Sequence, residues 1–427
     1  RIRFVPSDEA AAAAPPTWPR VGAPKAGQVP AKPAESLASL ASRLEKERYD
    51  AAGTRLDTIR KLGRTGEPKA RDLLLALASK DGDVPVRAAA VRALGHPAWL
   101  DDVGAKLLAW SRDGQPKIAQ AALEALHAAD HPDREAVYRE VLSSTVTAAT
   151  VGTAARYLAY VGSDAARDAV IGAYRALTED QPRHQVYLAL RTLVDGPPPE
   201  VMTHAAQSTY APLVAAALRD LRTLDHERTR ELALAAARSA KPPETLLLAL
   251  ADELGGIGDR ESVRALLALQ PGRSSRFEPR LVERLAAVRD PGAIDALLVA
   301  LGAEKPRTRR IAATVLGHIP REDATQALIE QIGAQPKKDP EGTAAMLKAL
   351  ARHGTPAAVP VLLRYAKSGK GAVRQAAVRG LAAVGMEDSR IRASFAGQLR
   401  ARSWEDRVLA LDATGEAAEV SLLTEVV

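Results

Sequence analysis

Leu62, Leu94, Leu126, Leu158 and Leu190 stand 32 residues apart without a slip, and their surroundings recur in the same register. Arg55, Arg87, Ala119, Val151 and Arg183 come seven residues before each leucine, and Ile59, Val91, Leu123, Ala155 and Tyr187 three before. Val86-Arg-Ala-Ala-Ala-Val-Arg-Ala-Leu-Gly95 therefore has apolar residues at helical spacing and then a glycine, the pattern of a short amphipathic helix with a glycine stop. The chain then turns at Gly95-His-Pro97, a second helical pattern runs from about Trp99 to Trp110, and the polar loop Ser111-Arg-Asp-Gly-Gln-Pro116 leads into the next helix. No segment alternates at the period of a strand. A unit of this size cannot bury its own apolar face, so neighbours must stack. The expected fold is all-α, a right-handed α-solenoid of about twelve helix pairs over residues 35–427.

The period is strict over about 50–195 and looser over 196–427, where Leu285, Leu316, Leu350 and Leu381 are separated by 31, 34 and 31 residues. Between Leu190 and Leu285 the register is hard to follow, and helices expected around 210–224, 229–238 and 244–254 supply two further units. Residues 1–34 differ: Pro6, Pro15, Pro16, Pro19, Pro24, Pro30 and Pro33 lie among alanines and glycines, the composition of an extended arm or linker. Such a stretch suits the region after a removed signal or anchor, so the expectation leans toward a periplasmic or cell-envelope location. Val427 ends an apolar stretch with no polar capping repeat, so a neighbouring subunit or further sequence is expected to cover it.

Two strings carry a resemblance to a known family. Asp83-Val-Pro-Val-Arg-Ala-Ala-Ala-Val-Arg-Ala-Leu-Gly95 and Lys370-Gly-Ala-Val-Arg-Gln-Ala-Ala-Val-Arg-Gly-Leu381 resemble the HEAT repeat, in the short form also seen in phycobilisome lyase-type repeats. The resemblance extends over about 36–427 and speaks to architecture rather than activity. It implies a ladder between neighbouring repeats, built by an aspartate before the second helix and an arginine at its start. Asp83 with Arg87 fits, Arg55, Arg309, Arg374 and Arg407 hold the equivalent step, and Ala119 and Val151 interrupt it.

No catalytic, cofactor-binding or metal-ligating residue is expected in this chain. The chain has no cysteine, which removes disulfides, thiolate metal sites and a cysteine nucleophile. No apolar run is long enough to cross a membrane, so membrane association would run through a partner or a missing N-terminal anchor. His127 and His131 are spaced like a metal pair, but Pro132 follows at once and His127 ends its helix. His96, His318 and His353 recur just after the anchoring leucine, where an imidazole can bond the last helical carbonyls. Gly255-Gly-Ile-Gly258 reads as a helix stop with Asp259 as the next N-cap, and Asp101-Asp102 and Glu322-Asp323 as first-turn acids.

Charge supplies the one asymmetry. Residues 303–407 hold 19 Lys and Arg against 10 Asp and Glu, while the whole chain carries only +7. Lys305, Arg307 and Arg310, with Arg364, Lys367, Lys370 and Arg379, fall on loops that open second helices, so they form a candidate basic edge or a merely solvated one. Trp99 and Trp110, 11 residues apart, share a helical face and fill a gap between pairs or, if exposed, anchor a partner; Trp404 stands alone. These features imply a non-enzymatic scaffold or adaptor that holds another protein within a larger complex. The alternative is duplex nucleic-acid binding through the 303–407 edge, aromatic residues being too few, at 4%, for stacking on single strands. A lyase-type enzyme, by analogy of fold, is the remote one.

Overall fold

The computed structural model describes residues 35–47, 52–143, 147–238, 242–269, 275–334 and 339–416. The arm at 1–34 and the apolar end at 417–427 lie outside the described residues. Among the described residues there are 24 α-helices and no strand, as the period requires. Most are short and begin with chemistry that suits a first turn. Ser163 Oγ accepts from the Ala166 amide at 3.1 Å, and Asp290 Oδ1 from Ala293 at 2.7 Å. Proline opens the helices Pro116–Ala128, Pro291–Ala300 and Pro306–Leu316, where its missing N–H costs nothing.

The chain divides into two compact units, Arg1–His131 and Pro132–Val427. In the first, Val84–Ala93 packs on its partner Pro68–Lys80 and also on Ala52–Leu62 and Pro116–Ala128, the equivalent helices of its neighbours. Leu62, Leu94 and Leu126 are all fully buried there. The helix expected from about Trp99 to Trp110 runs Leu100–Trp110, and a 3-10 turn, Pro97–Trp99, leads into it. The cause is local: His96 Nδ1 accepts from the Ala98 amide at 3.2 Å, and Pro97 fixes the first residue of the turn.

In the second unit one layer is formed by Ala148–Val161, Asp180–Leu190, Ala211–Leu221, Glu244–Ile257, Phe277–Ala286, Pro306–Leu316, Pro340–His353, Gly371–Val384 and Trp404–Glu416, each packed on the next. The intervening helices make the second layer. This order recovers the register lost between Leu190 and Leu285. Leu221, 2% exposed, and Leu254, fully buried, hold the anchoring place, 31 residues after Leu190 and 31 before Leu285. Burying one such side chain contributes about 2 kcal/mol, so the ladder itself is a large share of what holds each unit together.

The glycine after the leucine has a different purpose from the one its position suggests. A Cβ on Gly95 would sit 2.7 Å from Ala125 Cα, and one on Gly63 2.8 Å from Ala93 Cβ. Glycine lets successive helices touch backbone to backbone. The true left-handed caps are Gly162, Gly258 and Gly354, with φ of 72°, 65° and 62°. Gly258 is then followed by Asp259, whose side chain accepts from the Ser262 amide at 2.7 Å, the helix stop and N-cap expected there.

Candidate partner-binding surface

The arginines of the repeat are used for packing. Arg87, Arg183, Arg309 and Arg407 each donate to the backbone carbonyl six residues earlier, at Asp81, Leu177, Ala303 and Ala401, closing the loop before their own helix. Some also reach forward to the next repeat. Arg55 pairs with Asp81 and lies 3.6 Å from Asp83, Arg309 lies 2.6 Å from Asp339, and Arg374 2.6 Å from Asp406. The ladder expected between repeats therefore exists with a different pairing, because Asp83 faces Arg55 of the preceding unit rather than Arg87. Ala119 and Val151, which interrupt it, are buried.

The seven basic candidates separate into two groups. Arg307 lies 2.7 Å from Glu278, donates to the Leu269 carbonyl at 2.8 Å and covers the Phe277 ring. Arg310 lies 3.2 Å from Glu278 and 2.9 Å from Glu341. Burial pushes the Glu278 carboxyl up, but hydrogen bonds from Arg307 and Arg310 overcome this and hold it below the usual range. Arg379 lies 3.7 Å from Asp412. The other four are exposed: Lys305, Arg364, Lys367 and Lys370 make no ion pair among the described residues, and Arg364 lies only 5.0 Å over the Tyr365 ring. Glu304 neighbours Lys305 on the same exposed loop, whereas 364–370 has no acid.

Gly317 closes on Ala349 and Gly380 on Ala351, contacts near the C-terminal ends of Pro306–Leu316, Pro340–His353 and Gly371–Val384. These helices thus run parallel, and the loops before them share one edge of the second unit. Lys370 occupies the N-cap of Gly371–Val384 and provides no side-chain acceptor, whereas Asp339 and Asp388 cap neighbouring helices. The next loop along this edge adds Arg402, exposed and without an ion pair among the described residues, and then Trp404, 61% exposed. Arg402 is not among the seven basic candidates read from the sequence. Its place before Trp404, one repeat after Lys370, was the available signal.

The two tryptophan candidates do not form a shared exposed face. Trp99 is 1% exposed and its indole N–H donates to the Gly66 carbonyl at 3.0 Å, so it fills the gap between helix pairs. Trp110 is half-buried. The histidines after the anchoring leucine act individually. His353 Nε2 donates to the Leu316 carbonyl at 2.8 Å, the end of a neighbouring helix rather than its own, while His96 accepts at the start of the 3-10 turn. His131 is buried beside Gly104.

A second charged feature lies in 187–284. Asp220 accepts from Tyr187 Oη at 2.9 Å and from Arg191 at 3.1 Å. Glu253, 3% exposed, lies 3.5 Å from Arg222, and Asp252 accepts from Arg280 at 2.6 Å and Arg284 at 2.8 Å. Asp220, Glu253 and Arg284 each stand one residue before an anchoring leucine, where the first unit has Ala93 and Ala125.

Residues 333–410 match the family of HEAT repeats. The fold is a HEAT-repeat α-solenoid. The match is to HEAT repeats in general and does not extend to the narrower lyase-type form. Among solved structures, Kap121p bound to Nup53p has a TM-score of 0.59 at 11% identity, over 91% of this chain and 50% of that one. The Kap95:Nup1 complex gives 0.58 at 13%, over 91% and 62%, and Kap95p with RanGDP 0.53 at 14%, over 89% and 61%. At such identities the likeness concerns the fold alone, and this chain spans 50% to 62% of the length of those chains. The sequence matches none of the curated proteins compared with it.

Proposed function

We propose that this HEAT-repeat protein is a non-enzymatic scaffold that binds another protein and holds it in a larger assembly. The supporting observation is how its titratable groups are used. Arg55, Arg309 and Arg374 staple one repeat to the next, and Asp220, Asp252 and Glu253 are each tied to arginines across helices. Side chains left over, such as Lys305, Arg364, Lys367 and Lys370, are exposed on loops and helix ends, where they are placed for a surface contact. The similar fold in Kap121p bound to Nup53p contacts another protein, which agrees with this reading.

Crosslinking in extract of the native cell, followed by reconstitution with each purified candidate, tests the proposal. A complex of fixed stoichiometry that survives size-exclusion chromatography is expected. A protein that elutes alone beside every crosslinked candidate overturns it.

A further inference from the structure

Resting on the scaffold reading, we propose that the loop edge bearing Arg364, Lys367, Lys370 and Arg402 docks an acidic, extended segment of the protein partner. Of the basic side chains in this part of the chain, Arg307, Arg309, Arg310, Arg374 and Arg379 all meet a carboxylate of a neighbouring helix. The four meet none among the described residues: Arg364 and Lys367 lie in the last turns of Ala358–Ser368, Lys370 on the loop that follows, and Arg402 on the corresponding loop one repeat later. Like charges gathered this way repel one another and contribute nothing to the fold, while they raise the potential that an anionic partner feels.

The geometry selects among anionic partners. Neighbouring helices pack about 10 Å apart, and an extended peptide advances about 3.3 Å per residue, so carboxylates about three residues apart meet successive loops. Lysine ammoniums act as point charges that suit single carboxylates. Trp404 stands two residues beyond Arg402 and is 61% exposed, a flat apolar surface for an apolar residue of the same peptide. A duplex offers no such residue to an exposed tryptophan on its outer backbone. It also draws its affinity from many more phosphate contacts than four cations provide.

The test uses the full chain and a fluorescent oligo-glutamate peptide, with duplex DNA and phosphatidylserine vesicles as competing probes. Reversing charge in the triple variant Lys367→Glu, Lys370→Glu, Arg402→Glu is expected to weaken peptide binding about tenfold or more. The control triple Lys69→Glu, Lys106→Glu, Lys117→Glu, exposed positions of the first unit with the same change in net charge, is expected to leave it within about twofold. Equal loss in both variants, or loss in neither, overturns the proposal. So does duplex DNA or vesicle binding that is tighter than the peptide's and depends on the same residues. A reconstituted partner that binds the edge variant as well as the unaltered chain removes this edge and leaves the scaffold reading standing. A chain that reconstitutes with no partner removes the scaffold reading itself.

Discussion

The helices of Leu94 and Leu126 have alanine one residue before the anchoring leucine, whereas those of Leu221, Leu254 and Leu285 have Asp220, Glu253 and Arg284 there. In the first region Gly63 lies on Ala93 and Gly95 on Ala125, with backbones in contact. In the second that step holds Asp220, Glu253 and Arg284, and ion pairs join the helices while Gly255 still closes on the Arg284 Cβ. One leucine ladder supports both chemistries because the leucines, fully buried or nearly so in each region, supply the common burial. The adjacent positions are free to differ. The small-residue contacts are indifferent to pH and salt, and the charged ones respond to both.

The largest test asks whether the ladder really continues through the second region. Leu254→Ala should cost about 3 kcal/mol, as much as Leu94→Ala in the first. Urea denaturation of each variant measures this, and a loss well under that for Leu254→Ala would mean that the charged stretch is not built on the ladder.

Gly95→Ala comes next, with a loss of about 2 kcal/mol from forcing a methyl against Ala125. Gly255→Ala is its counterpart in the second region, since a Cβ there would lie 2.7 Å from Arg284 Cβ, and Gly256→Ala is the open control. Gly256 has nothing within 4 Å of a built Cβ, so that change should be neutral or stabilise by about 0.5 kcal/mol. Equal losses in thermal melts would erase the proposed distinction between a packing glycine and a free one.

The smaller effects concern pH, and two adjacent residues should respond with opposite sign. Burial pushes the Asp252 carboxyl up, but hydrogen bonds from Arg280 and Arg284 prevail and hold it low. Its contribution is therefore present above the unfolded carboxylate range and is lost as pH falls through its folded value. Asp252→Asn should cost about 1.5 kcal/mol at neutral pH and less in acid. Burial raises the Glu253 carboxyl, with Arg222 only partly offsetting it, and its Oε2 accepts no hydrogen bond among the described residues. The folded state then holds its proton to higher pH than the unfolded chain, so stability falls as pH rises from the ordinary carboxylate range through the raised value. Glu253→Gln should be neutral or stabilise by about 1 kcal/mol at neutral pH, the difference fading in acid. Denaturant midpoints across the acid range check both signs, and parallel responses would mean that the two carboxylates share one environment.

The smallest effect is that of salt. Raising ionic strength should lower the midpoint of the second region's unfolding by a few tenths of a kcal/mol in the exposed pairs and leave the first region's packing unchanged. Hydrogen exchange in each region at low and high salt distinguishes the two.

Much of this architecture was legible in the sequence because it repeats locally. The leucine period announced the helix pairs, and Gly258 with Asp259 announced a stop and a cap, since a helix end depends on a few consecutive residues. The register through Leu221 and Leu254 was obscured because Asp220, Glu253 and Arg284 replace the small apolar residues that made the first region recognisable. Trp99 offered two roles from sequence, and only its hydrogen bond to Gly66 and its burial decide between them. The candidate edge was visible as a charge excess, yet Arg307 and Arg310 counted toward it although Glu278 and Glu341 engage them.

By itself the sequence determined the all-α class, the repeat and the leucines that anchor it, because helical spacing and helix ends are written in neighbouring residues. The tertiary structure decided which cations stay without an ion pair among the described residues and which glycines are there for close approach. Those outcomes turn on side chains about a repeat apart in sequence, such as Arg309 and Asp339, 30 residues apart, which meet only when one helix pair is stacked on the next.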